Sequence, residues 1–355
     1  MLKALKLVAI NVIAFLLILS VLEGAASLLF AVVRVHRATG IREQQHSVYD
    51  PTIGWVSLPN VRLPDLYGPG IFLHTNSQAF RNEADISREV PPGKTRIICS
   101  GDSFTLGYGV SNDETWCHRL ATLDPRLETV NMGQGGYGLD QVYLWYKRAG
   151  LPLDHQVQLV AFISDDFLRM QFDDFLGYGK PLLGLRGDSI VVLNAPVPKR
   201  SSVGRWWLAK GHMLMNLNIV QLADRVLSDT PTDQPNTAHN DTTRTVVARI
   251  FQDLARINAA KHSRLVLVYL PGFYDYGHDS PQPSWRTFVT EEARRQGIQL
   301  IDLFEPLRRV PPTQIDSLYL KDGHYSPKGN EFIARAIYSE LGAALGTSSR
   351  ATAPH

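Results

Sequence analysis

The residue types needed for acyl chemistry stand in two loops far apart in this chain, in an order that suits that chemistry. Gly101-Asp102-Ser103-Phe104-Thr105 directly follows a short β-prone run, Thr95-Arg96-Ile97-Ile98-Cys99-Ser100. A serine at a strand-to-helix turn has its Oγ exposed and its N–H near a helix start, where developing negative charge is favoured. Taken alone, Gly-Asp-Ser is explained equally well by an N-cap serine in a turn. Near the other end, Asp322-Gly323-His324 precedes Ser326-Pro327-Lys328-Gly329, which opens the final amphipathic helix with proline near its first turn. A nucleophilic serine needs a base that titrates near neutrality and a third group to fix that base's tautomer. An aspartate two residues before a histidine supplies both from one loop. A lone Asp-x-His is usually a surface turn, but its position after a Gly-Asp-Ser loop assigns Ser103 as nucleophile, His324 as base and Asp322 as its partner.

Between the two lies Asn131-Met132-Gly133-Gln134-Gly135-Gly136-Tyr137-Gly138. Its glycines suit a flexible turn, or a backbone brought close to a reacting carbonyl, with the Gly133 N–H offered to an oxyanion. The dinucleotide-binding pattern, glycines followed by an acidic residue at the right distance, is not met.

These loops need elements to hold them. Beyond Thr95–Ser100, β-prone apolar runs occur at Glu128–Val130, Leu159–Ile163, Leu265–Leu270 and Ile298–Leu303. Helical stretches fall around 114–124, 138–149, 242–260, 283–297 and 327–345. Strands alternating with helices of this length predict a parallel sheet covered on both faces, and such sheets place ligands at the carboxyl ends of their strands. The alternation breaks between about 172 and 240. There Leu182–Val197 reads as a hairpin turning at Gly187-Asp188, followed by Trp206-Trp207 and a polar stretch, so this is an insertion in the main domain. Residues 41–95 form a proline-punctuated lead-in, in which Ile53-Gly54-Trp55-Val56 and Ile71-Phe72-Leu73 suit strands laid against the main domain. Residues 346–355 read as a disordered tail.

A length of 355 residues, a net charge of +2 and scattered basic residues leave room for a sizeable core and argue against nucleic-acid binding. Cys99 and Cys117, the two cysteines, suit either one disulfide or two buried thiols and decide nothing about compartment. Residues 7–33 are almost continuously apolar, interrupted by Asn11 and Glu23, long enough for a membrane-spanning helix. A cleaved signal peptide is the rival, with Lys3 and Lys6 as a basic start and Gly24-Ala25-Ala26-Ser27 as small residues. The return of Leu28, Leu29 and Phe30 favours an anchor over residues 1–40. Arg34, Arg37 and Arg42 leave the orientation open by charge alone.

Gly-Asp-Ser near the front, Asn-x-Gly-x-x-Gly in the second block, and Asp plus His before the last helix together resemble the SGNH/GDSL hydrolases, over roughly residues 95–345. The resemblance implies a flavodoxin-like three-layer α/β/α sandwich at 96–345, with no metal or cofactor. It also implies ester cleavage through an acyl-serine, with the Ser103 and Gly133 N–H groups in the oxyanion hole. The stretch from Ile53-Gly54-Trp55 to Asn76-Ser77-Gln78-Ala79-Phe80-Arg81 resembles the lead-in of membrane-anchored bacterial members, which implies an inner-membrane anchor and a domain facing the periplasm or the outside. One block departs. The family's third block usually reads Gly-x-Asn-Asp, whereas here Ile163-Ser164-Asp165-Asp166 puts Asp165 at the oxyanion-hole asparagine. A carboxylate has no proton to donate there. Three readings stay open: Asp165 protonated beside Asp166, Ser164 or another donor in its place, or a shifted alignment.

The reading is therefore a serine esterase acting on an acyl or acetyl ester of an extracytoplasmic carbohydrate or lipid. O-acyl transfer to or from a polysaccharide is a rival that would need an acyl-donor membrane partner, and a non-catalytic polysaccharide-binding scaffold is a second. Asp165, Asp166, Asp173 and Asp174 also raise a metal or glycosidase reading, which leaves Ser103 and His324 unexplained. The pairs Trp206-Trp207 and Tyr274-Tyr276 suit packing better than sugar stacking.

Overall fold

The computed structural model describes residues 42–175, 177–199, 237–273 and 283–342, together with residues 6–7, 10–18, 20–21 and 24. The chain divides into two compact units, residues 45–199 with 236–355, and residues 1–44 with 200–235.

The first unit opens with two hairpins, β1 (Ser47–Asp50) with β2 (Gly54–Ser57), and β3 (Arg62–Gly68) with β4 (Ile71–His74). Then come β5 (Thr95–Ser100), the short helix α1 (Ser103–Leu106), α2 (Trp116–Leu123), β6 (Leu127–Asn131), α3 (Leu139–Trp145), β7 (Val157–Phe162) and α4 (Ser164–Arg169). The insertion contributes the small strands β8 (Asp174–Phe175) and β9 (Tyr178–Gly179) and the hairpin β10 (Leu183–Arg186) with β11 (Ser189–Val192). After it follow α5 (Thr237–Ala260), β12 (Arg264–Tyr269), α6 (Pro283–Gln296), β13 (Gln299–Asp302), α7 (Phe304–Arg308), α8 (Pro312–Ile315) and α9 (Pro327–Gly342).

The central sheet runs β13-β12-β7-β5-β6 and is parallel throughout. Counted in chain order this is the doubly wound 2-1-3-4-5 arrangement, whose direction of winding reverses between β5 and β7. Every residue of β7 is buried, as expected of a central strand covered on both faces. Alternate residues feed two cores. Ile98, Val160 and Leu267 meet α3, α5 and α6 on one face, while Ile97, Leu159 and Val266 meet α2 and α9 on the other. The sequence places all five strands to within two residues, because each is a β-prone run bounded by turn residues. Cys99 and Cys117 are free, buried thiols in the second of these cores, so the disulfide alternative is corrected.

The lead-in belongs to the same unit. Trp55 is 1% exposed inside the α3 core, its Nε1 donating to the Gly135 carbonyl at 3.0 Å while its own carbonyl accepts from the Tyr137 hydroxyl at 2.5 Å. Ser57 N–H and Oγ both donate to Gln134 Oε1, at 3.0 and 2.8 Å. The glycine-rich loop after β6 is thus held against the lead-in, by Trp55 and Ser57 on one side and by its own Gln134 and Tyr137 side chains on the other.

Residues 10–18 are helical, and their large apolar side chains are half or more exposed. Among the described residues no helix is long and apolar enough to cross a membrane. The expected span at 7–33 lies partly outside those residues, as does the insertion beyond Lys199. Trp206, Trp207, Tyr274, Tyr276 and residues 346–355 lie wholly outside them.

The described part of the insertion is tied down by Lys180, which reaches Asp140 of α3 in an ion pair with both side chains fully buried. Burial lowers the lysine and raises the aspartate, and each charge offsets that shift in the other only in part. Lys180→Met strands a buried carboxylate and should cost about 3–5 kcal/mol in urea unfolding, whereas Lys180→Met with Asp140→Leu should recover most of it. Equal losses for the single and double variants would show that the pairing of the two charges is not what matters.

Candidate active site

Ser103 begins α1 at the carboxyl end of β5, next to the reversal of the sheet. Asp102 caps this helix, its Oδ1 accepting the Phe104 N–H at 2.9 Å, as an N-cap aspartate does. Close packing of backbones makes the turn possible. A Cβ on Gly101 would stand 2.7 Å from the Ala161 carbonyl oxygen of β7, and one on Gly133 only 2.0 Å from the Leu106 nitrogen of α1. The second loop therefore lies directly against the nucleophile turn. From the lead-in, buried Arg81 closes the other side. Its Nη1 donates to the carbonyls of Leu106 and Gly107 at 2.7 and 2.6 Å, its Nη2 to that of Val110 at 2.5 Å, and its Nε to Asn112 Oδ1 at 2.8 Å. Burial pulls its guanidinium down to about 10. The sequence marks Arg81 only as the end of the lead-in stretch and gives no sign of this clamp.

The histidine arrives from the loop before α9. Leu320 N–H donates to the His324 carbonyl at 2.7 Å and Gly323 N–H to the Leu320 carbonyl at 2.9 Å, making a tight turn. Asn330, one turn into α9, accepts the Trp116 N–H at 3.0 Å and donates to the carbonyls of Tyr325 and Ser326, both at 3.1 Å. Trp116 in turn donates its Nε1–H to the Phe104 carbonyl at 3.1 Å. One asparagine and one tryptophan thus register the histidine loop against the serine turn. The imidazole stacks on Tyr108, with centroids 4.5 Å apart, and lies tilted against Phe104 at 4.9 Å.

The result is a relay. His324 Nε2 stands 2.9 Å from Ser103 Oγ, and His324 Nδ1 stands 3.3 Å from Asp322 Oδ1. With the proton on Nδ1 directed at the carboxylate, Nε2 is left to accept the serine proton, which is the tautomer this contact pattern favours. The hydrogen bond to His324 holds the Asp322 carboxyl below the usual carboxylate range. The three residues assigned from the sequence are brought together as expected.

The oxyanion side departs from expectation. The Gly133 N–H is already donated to Asn131 Oδ1, at 3.0 Å, so it is not an open donor here. The Ser103 N–H makes no hydrogen bond among the described residues. Asp165 is exposed, and Asp166, its neighbour, is fully buried. Burial first, and Asp102 next, push the Asp166 carboxyl well above the usual range. The reading in which Asp165 stays protonated through burial is therefore corrected: the helical phase of α4 turns the other aspartate inward. The Ser164 hydroxyl is 2.5 Å from that of Tyr269. Both Ser164 and Asp165 line a cavity of about 200 Å³ shared with Phe104, Arg169, Phe273, Asp322 and His324. The four aspartates read as a metal set do not converge: Asp166 is bonded to Arg169 at 2.6 Å and Asp165 faces solvent.

Arg169 is the second residue without a signal in the sequence. Its Nη1 donates to Asp166 Oδ1, to the Tyr137 carbonyl at 3.0 Å and to Asp102 Oδ2 at 3.1 Å. It thereby joins the third block to the residue beside the nucleophile.

No family model matches the chain, and no curated protein does. Several solved structures are similar in fold. A G-D-S-L family lipolytic protein from Desulfitobacterium hafniense is 14% identical with a TM-score of 0.40, over 69% of this chain and 99% of that one. A lipase/acylhydrolase from Enterococcus faecalis is 16% identical with a TM-score of 0.40, over 70% and 96% of the two chains. An acetyl xylan esterase, AlAXEase, is 14% identical with a TM-score of 0.40, over 69% and 99%.

Proposed function

We propose that the protein is a serine esterase of the SGNH/GDSL type that works through an acyl-serine. The observation that carries this reading is the relay itself, Ser103 Oγ to His324 Nε2 at 2.9 Å with Asp322 behind the imidazole at 3.3 Å. As Ser103 Oγ attacks the ester carbonyl, His324 Nε2 takes its proton, and Asp322 steadies the imidazolium. The tetrahedral oxyanion is received by the Ser103 N–H, joined by Gly133 if substrate displaces Asn131 from it. His324 then returns the proton to the departing alcohol. A water activated by the same imidazole cleaves the acyl-serine in the second half. The small cavity, with Phe104 and Phe273 among its lining residues, suits a short acyl group such as acetyl.

The substrate class we propose is an acyl ester of a carbohydrate or lipid outside the cytoplasm. The exposed apolar residues of the N-terminal helix support a membrane tether, and the proposal puts that tether in the inner membrane with the catalytic unit on its outer side. Full-length protein should then sediment with membranes and a chain starting at residue 41 should not; recovery of both in the same soluble fraction rules out the tether.

The enzymatic reading predicts acetate release from p-nitrophenyl acetate, falling by at least ~10³-fold in Ser103→Ala. Turnover unchanged by that substitution, or absent from the wild type under every condition, rejects it. Addition of candidate sugars separates the acceptors. Release accelerated by a sugar that itself becomes acetylated assigns transfer, and insensitivity assigns hydrolysis.

A carboxylate at position 165 accepts hydrogen bonds but does not donate them, and it opposes charge developing on an adjacent oxyanion. Losing a single donor of this kind costs ~10²–10³ in rate. Asp165→Asn should therefore raise kcat by tenfold or more, on the order of part of that loss. An unchanged kcat would place residue 165 outside the oxyanion's reach.

A further inference from the structure

Ser103 Oγ carries one proton and has two acceptors within reach. His324 Nε2 is 2.9 Å away on the loop before α9, and Asp102 Oδ2 is 3.4 Å away, on the residue immediately before Ser103. Only donation to the histidine leads to attack on an ester. Donation to Asp102 leaves the hydroxyl turned from its base, with a buried negative charge beside the site where an oxyanion must form. The fold has to settle this competition, because Asp102 cannot be dispensed with: its other oxygen caps α1 through the Phe104 N–H.

Arg169 settles it by geometry. Its Nη1 lies 3.1 Å from Asp102 Oδ2, the oxygen that faces Ser103, and 2.6 Å from Asp166 Oδ1. The Asp102 and Asp166 side chains are wholly buried, and that of Arg169 is 15% exposed. A charge-assisted bond from a guanidinium is stronger than one from a serine hydroxyl, so Oδ2 is better satisfied by Arg169 than by Ser103. Arg169 thus bridges both carboxylates, and the Asp166 carboxyl is pushed well above the usual range by burial first and by Asp102 next. Arg169 is itself fixed, since the two protons of the same nitrogen are shared among Asp166, Asp102 and the Tyr137 carbonyl in the glycine-rich loop.

We propose that Arg169 is a positioning residue for the nucleophile: by occupying Asp102 Oδ2 it denies that carboxylate the Ser103 proton and leaves the hydroxyl to His324. The inference rests on the serine esterase reading. It adds to that reading a residue outside the three of the relay, which acts through Asp102 and needs no contact with substrate.

The test uses full-length protein and p-nitrophenyl acetate, with Arg169→Met alone and combined with Asp102→Asn. Loss of the arginine should lower kcat by about 10²-fold, the usual cost of a misdirected reacting group, with KM changed by less than about threefold. The second change removes the competing charge while keeping a side-chain oxygen for the cap, so the double variant should recover kcat by about tenfold or more over Arg169→Met. If Arg169→Met does not fold, Arg169→Gln is compared with Arg169→Gln/Asp102→Asn on the same criterion. A double variant no faster than the single one overturns the proposal, as does a loss confined to KM or an unaltered kcat. An inactive wild type would instead defeat the esterase reading from which the inference starts, and is recognised by the absence of any Ser103-dependent turnover.

Discussion

The bond between Ser103 Oγ and His324 Nε2 joins residues 221 positions apart, and most of the structure on the site's side of the sheet exists to make it. Neither loop could find the other by local preference. The winding order brings the ends of β5 and β7 together at its reversal. Helix α9 then returns over the same face as α2, so that the turn preceding α9 meets the turn following β5. The Asn330–Trp116 contact converts this approximate meeting into a fixed register. A shift of about 1 Å in such a register costs on the order of 10²-fold in rate, which is why buried side chains, and not the loops alone, hold it.

A second constraint is electrostatic. The site gathers Asp102, Asp166 and Arg169 in a region nearly closed to water, with the Asp140–Lys180 pair buried within the same unit. Buried ion pairs of this kind contribute little net stability against an apolar alternative, but breaking one is costly. Their value here is positional. Each joins segments that the backbone does not, α4 to the nucleophile turn in one case and the insertion to α3 in the other. Arg81 does the same for the lead-in, holding the backbone that follows α1.

Much of this was legible in the sequence. The strands were, since Ile97–Cys99 and Leu265–Leu270 are apolar runs that end at turn residues. So was the β10–β11 hairpin, where Gly187 takes φ 57° as its turn requires. The triad was legible because Asp322 and His324 share one loop and Ser103 follows a strand. The arginine contacts were not, because an arginine in a polar stretch looks the same whether it faces solvent or a buried carboxylate. Nor was the state of the third block. Asp165 and Asp166 are adjacent and alike in type, and only the phase of α4, set by tertiary packing, decides which is buried. The pairing of the Gly133 N–H with Asn131 was equally hidden, since Asn-x-Gly suits an open donor and an occupied one alike.

The account stands on Ser103 being a nucleophile activated by His324, and covalent labelling reads that most directly. Incubation with a fluorophosphonate ester followed by peptide mass mapping should place one adduct on the peptide containing Ser103. Labelling should slow by at least ~10²-fold in His324→Ala. An adduct on another residue, or labelling of Ser103 at the same rate without His324, would contradict it.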